Sequence, residues 1–274
     1  MRFPEFLALA LFACVPVAHA GAGAVRADIA ARLAAAHPGV APADYALGAA
    51  AFDDERRAQL EANTPAPEAA AILAEGKRLW TRKFRNGRSL AQCFPNGGRR
   101  IAAAYPQLDA KSKRLVTLET AVNQCLRSHG EPILEAADAA AMGAVLAYVR
   151  SLAEGQKIAV RIATPLAEER FEQGRRLYFT RMGQQNYACA SCHVHNAGKH
   201  FGDTALPAAP GAASRWPFVR EGRAISLQSQ VRECLERMGA APFPAGSDEL
   251  SQIDYFLTAL ATGQPIKPNA WRPR

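Results

Sequence analysis

Apolar residues recur at helical spacing along most of the chain. Leu73, Gly76, Leu79 or Trp80, and Phe84 fall near one face of a first helix. Phe171, Gly174, Leu177, Tyr178 and Met182 make the same face in a second. A third stretch, Leu250, Ile253, Phe256, Leu257 and Leu260, follows Asp248 and Glu249, acidic residues that favour a helix N-terminus, and stops before Gly263. Gly155 gives an equivalent stop earlier in the chain. A glycine inside a helix costs about 1 kcal/mol against alanine, so Gly76 and Gly174 imply that another helix approaches closely there. No stretch alternates apolar and polar residues as a half-buried strand does. The expected fold class is all-α.

These stretches belong to an internal repeat. Ala74-Glu75-Gly76-Lys77-Arg78-Leu79-Trp80 resembles Glu172-Gln173-Gly174-Arg175-Arg176-Leu177-Tyr178, 98 residues later. Val122-Asn123-Gln124-Cys125-Leu126 resembles Val231-Arg232-Glu233-Cys234-Leu235, 109 residues later. Ser151-Leu152-Ala153-Glu154-Gly155-Gln156-Lys157-Ile158 resembles Ala259-Leu260-Ala261-Thr262-Gly263-Gln264-Pro265-Ile266, 108 residues later. Three matches in one order predict two copies of one small helical domain in tandem, over residues 66–158 and 159–274. Residues 21–65, rich in alanine and carrying Pro38, Pro42 and Pro65, read as an extended or partly helical lead-in.

Residues 1–20 read as a secretory signal. Arg2 supplies the charged start, Phe6 to Ala18 an apolar stretch too short to span a bilayer, and Ala18-His19-Ala20 the small-x-small cleavage pattern. No later stretch reaches spanning length, so the expectation is a soluble mature protein in an oxidising compartment, the periplasm. With 274 residues, 49% of them apolar, the chain can bury a real core, and six cysteines are too few for a disulfide-only scaffold. The net charge of +8 is scattered, which argues against a nucleic-acid-binding arm and for a mildly cationic surface suited to small anions or an acidic partner.

The chemistry is concentrated at Cys189-Ala190-Ser191-Cys192-His193. In C-x-x-C-H two cysteines can add to the vinyl groups of a haem, and the histidine is then placed to ligate the iron from one face. A redox C-x-x-C needs a βαβ context and a zinc site needs two more ligands at suitable spacing; neither is present. The expected cofactor is one covalent haem c, held by Cys189 and Cys192 with His193 as proximal ligand. For the opposite face His195 and His200 are too close in sequence or too exposed, and Met182 reads as core. Cys234 and Met238, four apart on one helix, remain.

Cysteine counting favours Cys234. With Cys14 removed in the leader and two cysteines on haem, Cys93, Cys125 and Cys234 are left, an odd number. In the repeat Cys93 aligns beside the haem-binding pair and Cys125 aligns with Cys234. If the first copy has lost its haem, Cys93 and Cys125 can close into a disulfide, and Cys234 is the unpaired thiol.

Gly76-Lys77-Arg78-Leu79-Trp80, Cys93-Phe94-Pro95-Asn96-Gly97-Gly98, Tyr105-Pro106, the haem motif, Arg215-Trp216-Pro217, and Ser226-Leu227-Gln228 followed by Cys234 resemble the SoxA family over about residues 66–268. The resemblance implies two cytochrome-c-like domains, the first without haem, as in the monohaem branch. It implies a distal cysteine modified to a persulfide, which maps to Cys234, and a separate small cytochrome, SoxX, as partner. It further implies an L-cysteine S-thiosulfotransferase, joining thiosulfate oxidatively to a carrier cysteine of SoxYZ and passing two electrons to cytochrome c. A substrate-binding arginine shortly before the distal cysteine is also implied. Arg232 is the candidate, with Arg237 and Arg220 as alternatives; Gln230 occupies the position four before the cysteine. A plain electron carrier with His193/Met238 ligation, and a thiosulfate dehydrogenase joining two thiosulfates, are the alternative functions.

Overall fold

The computed structural model describes residues 21–134, 139–267 and 270–271; the expected leader, residues 1–20, lies outside the described residues. The chain begins with α1 (Ala22–Ala36), a 3-10 segment (Pro42–Ala51) and α2 (Asp54–Ala62). Then come α3 (Ala69–Thr81), α4 (Leu90–Cys93), an antiparallel ladder of β1 (Gln107–Leu108) and β2 (Leu115–Val116), α5 (Leu118–Ser128) and α6 (Ala139–Ser151). The order recurs as α7 (Pro165–Phe179), α8 (Cys189–His193), a ladder of β3 (His200–Phe201) and β4 (Thr204–Ala205), a hairpin of β5 (Phe218–Arg220) and β6 (Arg223–Ile225), α9 (Leu227–Arg237) and α10 (Asp248–Leu260). β7 (Ala270–Trp271) joins β5 in parallel. The fold is helical in kind. Its strands are two or three residues long, too short for an alternating pattern to register in the sequence.

Each half is organised by one helix crossing, and a glycine permits it. α3 packs on α6, where a Cβ on Gly76 would collide with the Ala144 carbonyl oxygen and stand 2.8 Å from Tyr148 Cβ. α7 packs on α10, where a Cβ on Gly174 would collide with the Gln252 carbonyl oxygen and stand 2.9 Å from Phe256 Cβ. The close approach draws the i±4 row of each helix into the seam. Ala69, Ile72, Gly76 and Trp80 are therefore the buried residues of α3. Of the expected face, Gly76 and Trp80 are buried on the helix and Phe84 is buried just beyond its end, while Leu73 and Leu79 are half-buried. On α7, Phe171, Gly174 and Tyr178 are buried, Leu177 is half-buried and Met182 follows the helix.

The halves meet about a pseudo-twofold axis. Gly155 N–H donates to the Ile266 carbonyl (3.0 Å) and Gly263 N–H to that of Ile158 (2.8 Å). Ile158 N–H donates to Gln264 and Ile266 N–H to Gln156, both at 2.9 Å. The repeat thus pairs each terminal segment with its own counterpart, the self-complementary logic of a symmetric dimer inside one chain. Both glycines adopt positive φ, 76° and 90°. Thr117 and Ser226 cap α5 and α9 alike, each accepting the backbone N–H three residues on.

In the first half Cys93, ending α4, is disulfide-bonded to Cys125 on α5 across 32 residues of chain. The lead-in is more ordered than its composition suggests and packs on the second half. Ala22 N–H donates to Glu168 of α7 (3.0 Å), and Gly211 lets the Tyr45 backbone approach closely.

Three charged side chains are buried where the halves meet. Arg150 of α6 is 1% exposed; its Nη2 donates to the carbonyls of Ala213 (2.7 Å) and Ser214 (3.4 Å), and its guanidinium lies 4.3 Å over the Trp216 ring. Asp254 of α10 is 2% exposed, and the carboxylate oxygens of Glu119 on α5 are buried as well. Two acids share one base in a medium that disfavours charge. Burial and the neighbouring Glu119 carboxyl push Asp254 up from 3.8 to about 8.

A carboxyl whose folded value is raised stabilises the fold in its protonated form. That contribution is complete below 3.8 and is lost as pH climbs through about 8. Asp254→Asn is expected to shrink the fall in melting temperature across that window; an unchanged slope by calorimetry refutes the assignment. Gly174→Ala is expected to cost roughly 1–3 kcal/mol through overpacking at the α7–α10 crossing. Gly23→Ala on α1, where nothing lies within 4 Å of the added carbon, should leave the melting temperature unchanged or slightly raised.

Candidate functional site

The haem motif forms the short helix α8. Ser191 Oγ accepts the Ala188 N–H (3.1 Å) at its start, and Asn196 Nδ2 donates to the Ser191 carbonyl (2.7 Å) at its end. His193 Nδ1 lies 2.8 Å from the Pro207 carbonyl oxygen. A carbonyl only accepts, so Nδ1 carries a proton and Nε2 is the ring nitrogen left to serve as a metal ligand. Proline leaves no sequence signal for this role, because its backbone carbonyl does the work.

Cys189 is buried and Cys192 half-buried, and neither is disulfide-bonded. Burial, with the nearby Cys234 sulfur, pushes Cys189 up to about 12 and raises Cys192 as well. A redox C-x-x-C depends on a depressed value, and burial moves this pair the other way. Nor is it half of a zinc cluster. Among the described residues only Cys93, Cys125 and His129 bring three potential ligand atoms together, and the first two are bonded to each other.

Cys234 lies on α9, and its sulfur interacts with the His193 side chain. A turn before the haem motif fixes the C-terminal end of that helix. Gln184 N–H donates to the Gly239 carbonyl and Gln185 N–H to that of Met238, both at 3.2 Å, while Gln185 Nε2 donates to Arg237 O (3.0 Å). Gly183, at φ 74°, allows the contact, since a Cβ there would collide with the Met238 carbonyl oxygen. Met238 is the C-cap of α9; the side chain turned to His193 is that of Cys234.

Two donors converge on the Cys234 sulfur. Arg237 Nη2 lies 3.1 Å away and Gln230 Nε2 3.6 Å away. Arg220 holds the amide by donating to Gln230 Oε1 (2.6 Å) and to Glu233 Oε2 (2.9 Å). Burial opposes ionisation of the Cys234 thiol, but the interactions with His193 and the Arg237 guanidinium outweigh it and bring the group down to about 7. Arg237 is exposed, so the sulfur has a cationic, solvent-facing side.

Arg232 is not brought to this sulfur. Its Nε donates to the Phe243 carbonyl (3.1 Å), on another side of α9. The reason is helical geometry: residues two apart point to different faces, whereas Gln230, Cys234 and Arg237, at i, i+4 and i+7, share one. That spacing was the available signal for Gln230 and Arg237. His200 is exposed, near Asp53, and His195 packs edge-on against Phe179.

The donor set suits a haem c. Two thiols and an imidazole lie on one short helix, and a third sulfur, that of Cys234, reaches the imidazole from a separate helix. Comparison with known proteins agrees. A family model described as SoxA/TsdA, cytochrome c domain, matches residues 75–158 and 173–266, one segment in each half. The L-cysteine S-thiosulfotransferase subunit SoxA of Chlorobaculum thiosulfatiphilum is 33% identical over 228 residues, covering 82% of this chain and 79% of that protein. Its counterpart in Allochromatium vinosum is 33% identical over 230 residues, covering 82% and 81%. A chain of the crystal structure of SoxXA from P. pantotrophus shares the fold, with a TM-score of 0.69 at 24% identity over 81% of this chain and 84% of that one. Two matched domain segments and relatives a third identical over four-fifths of the sequence leave one conclusion, that the chain belongs to the SoxA/TsdA cytochrome c family and is a haem c protein.

Proposed function

We propose that this chain is the catalytic subunit of an L-cysteine S-thiosulfotransferase, as the names of its relatives say of them, and that Cys234 is its reactive residue. The observation that carries the reading is the position of the Cys234 sulfur, beside His193 on one side and Arg237 and Gln230 on the other. Cys189 and Cys192 would hold one haem c covalently, and His193 and Cys234 are the side chains that would ligate its iron. Bound haem supplies a one-electron acceptor next to that sulfur. The first domain, residues 66–158, carries the Cys93–Cys125 disulfide in place of a haem, and the second, residues 159–274, carries the chemistry.

The overall reaction is balanced as thiosulfate plus a carrier thiol giving a cysteine S-thiosulfonate, one proton and two electrons. One S–S bond forms, and the two sulfurs that make it are oxidised together. Cys234, held as a persulfide, keeps the sulfur intermediate covalent as a nucleophile does, and thiolate exchange passes it to the carrier. Thiosulfate is a dianion, and the exposed guanidinium of Arg237 can meet it with charge-assisted hydrogen bonds. Gln230, braced by Arg220, keeps a donor on the sulfur. Arg232, committed to the Phe243 carbonyl, takes no part.

The partner is a second, smaller cytochrome, SoxX. The carrier is SoxYZ and the electrons leave to cytochrome c. The periplasm is the compartment, consistent with a disulfide in the first domain, and no helix among the described residues is long and apolar enough to cross a membrane.

Cys234→Ala and Cys234→Met, each complexed with the partner cytochrome, are expected to retain haem through Cys189 and Cys192 and to lose turnover with the carrier thiol by at least about 100-fold. Peptide mass spectrometry of the native protein should find about 32 Da, one sulfur, added at Cys234. Full turnover by either variant sinks the proposal, as does tetrathionate production from thiosulfate alone at the rate measured with carrier. Arg237→Gln is expected to raise KM for thiosulfate about tenfold, the worth of one charge-assisted hydrogen bond of about 1.4 kcal/mol.

A further inference from the structure

Arg215 is 4% exposed, yet among the described residues its guanidinium has no hydrogen bond or ion pair, and its Nε is a buried donor with no acceptor. The other deeply buried arginine, Arg150, has two carbonyls, an aromatic face and two nearby carboxyls. Among the described residues nothing of the kind surrounds Arg215. Burial alone acts on it, drawing it down to about 10, with no charged side chain compensating. A guanidinium never sheds its proton in a protein at neutral pH, so a buried one without a counter-charge is strongly disfavoured. Its position calls for an anion that the described residues do not supply.

The placement of Arg215 narrows the choice. Pro207 accepts the His193 Nδ1–H, so the chain there lies against the proximal side of the haem motif. From Ala208 to Val219 all but one residue is buried, and Arg215 sits eight residues beyond Pro207 in that internal wall. A haem held at Cys189 and Cys192 through its vinyl groups has two carboxylates left, at the far edge of the ring. A carboxylate is the planar, two-oxygen acceptor that a guanidinium fork fits.

The repeat offers an internal control. Tyr105-Pro106 precedes β1 in the first half as Trp216-Pro217 precedes β5 in the second. The residue before the pair is Ala104 in the half without the C-x-x-C-H motif and Arg215 in the half with it. The arginine goes with the haem motif and not with the fold.

We infer that Arg215 binds a haem propionate and supplies the buried counter-charge that sets the haem's reduction potential. The inference rests on the haem c reading of Cys189, Cys192 and His193. Losing a positive charge at the ring edge favours the ferric state, so the potential should fall when Arg215 is neutralised.

The test uses the full haem-loaded chain with its partner cytochrome, as native protein, Arg215→Gln and Arg215→Lys. Three quantities are read: covalent haem by pyridine haemochrome, equilibrium potential by spectroelectrochemistry, and the propionate bending bands by resonance Raman. Arg215→Gln is expected to keep its covalent haem, lower the potential and shift a propionate band; Arg215→Lys should restore most of the potential. Should Arg215→Gln fail to fold, a shifted propionate band in Arg215→Lys carries the same information. Wild-type potential and bands in a haem-loaded Arg215→Gln overturn the inference. A wild-type potential with thiosulfate KM raised tenfold overturns it in favour of a substrate role. Native protein without covalent haem overturns the haem reading itself, a result the haemochrome assay separates from the others.

Discussion

The site depends on one constraint: an imidazole and a sulfur from two distant segments must face each other with their orientations fixed. Both are held by backbone carbonyls. The Pro207 carbonyl sets the His193 tautomer and ring direction, and the carbonyls of Met238 and Gly239 tie the end of α9 to the turn that precedes the haem motif. Backbone acceptors cannot swing away as long side chains do, so the geometry is set by the fold rather than by rotamer choice. The first half braces this frame from outside. α6 packs on β6, where Gly143 lets the helix touch the Ala224 backbone, and Arg150 reaches across to Ala213 and Ser214, in the wall that begins at Pro207.

Comparison of the two halves separates what the fold needs from what the chemistry needs. Gly76 and Gly174, Thr117 and Ser226, Gly155 and Gly263 occupy matching places and do matching work at the crossings, the caps and the twofold seam. Around Cys125, by contrast, the polar environment of Cys234 is gone. Ala121 stands where Gln230 does and Ser128 where Arg237 does, and the sulfur is tied up in a disulfide with Cys93. That crosslink closes 32 residues, and the loss of chain entropy in the unfolded state contributes roughly 3–4 kcal/mol. In this half the crosslink ties α4 to α5.

Much of this could be read from residues alone because the signals were periodic or covalent. Helical spacing located α3, α7 and α10, the repeat located the two halves, and the haem motif is a local pattern. Other features had no such trace. Strands of two or three residues cannot alternate, so the ladders went unread. The lead-in looked loosely ordered because its alanines have no strong face; its order comes from packing on α7 and the Ala209–Ser214 turn. Arg232 was the nearer candidate by sequence distance, but on a helix distance along the chain and distance in space differ, and Arg237 three residues on is the true neighbour of the sulfur.

The two arginines that matter most differ in burial, and burial decides what each can hold. Arg237 is exposed beside a half-buried sulfur, so it can trade water and a thiolate for a small dianion and back again with little change in desolvation. Such a contact suits a substrate that must arrive and leave. Arg215 is enclosed, and each departure of its counter-ion would strand a charge in a low-dielectric wall. On the reading proposed above, a covalent cofactor supplies that position with an anion that stays. On that reading one residue type serves turnover at the surface and permanence in the interior, with the cost of desolvation as the selector.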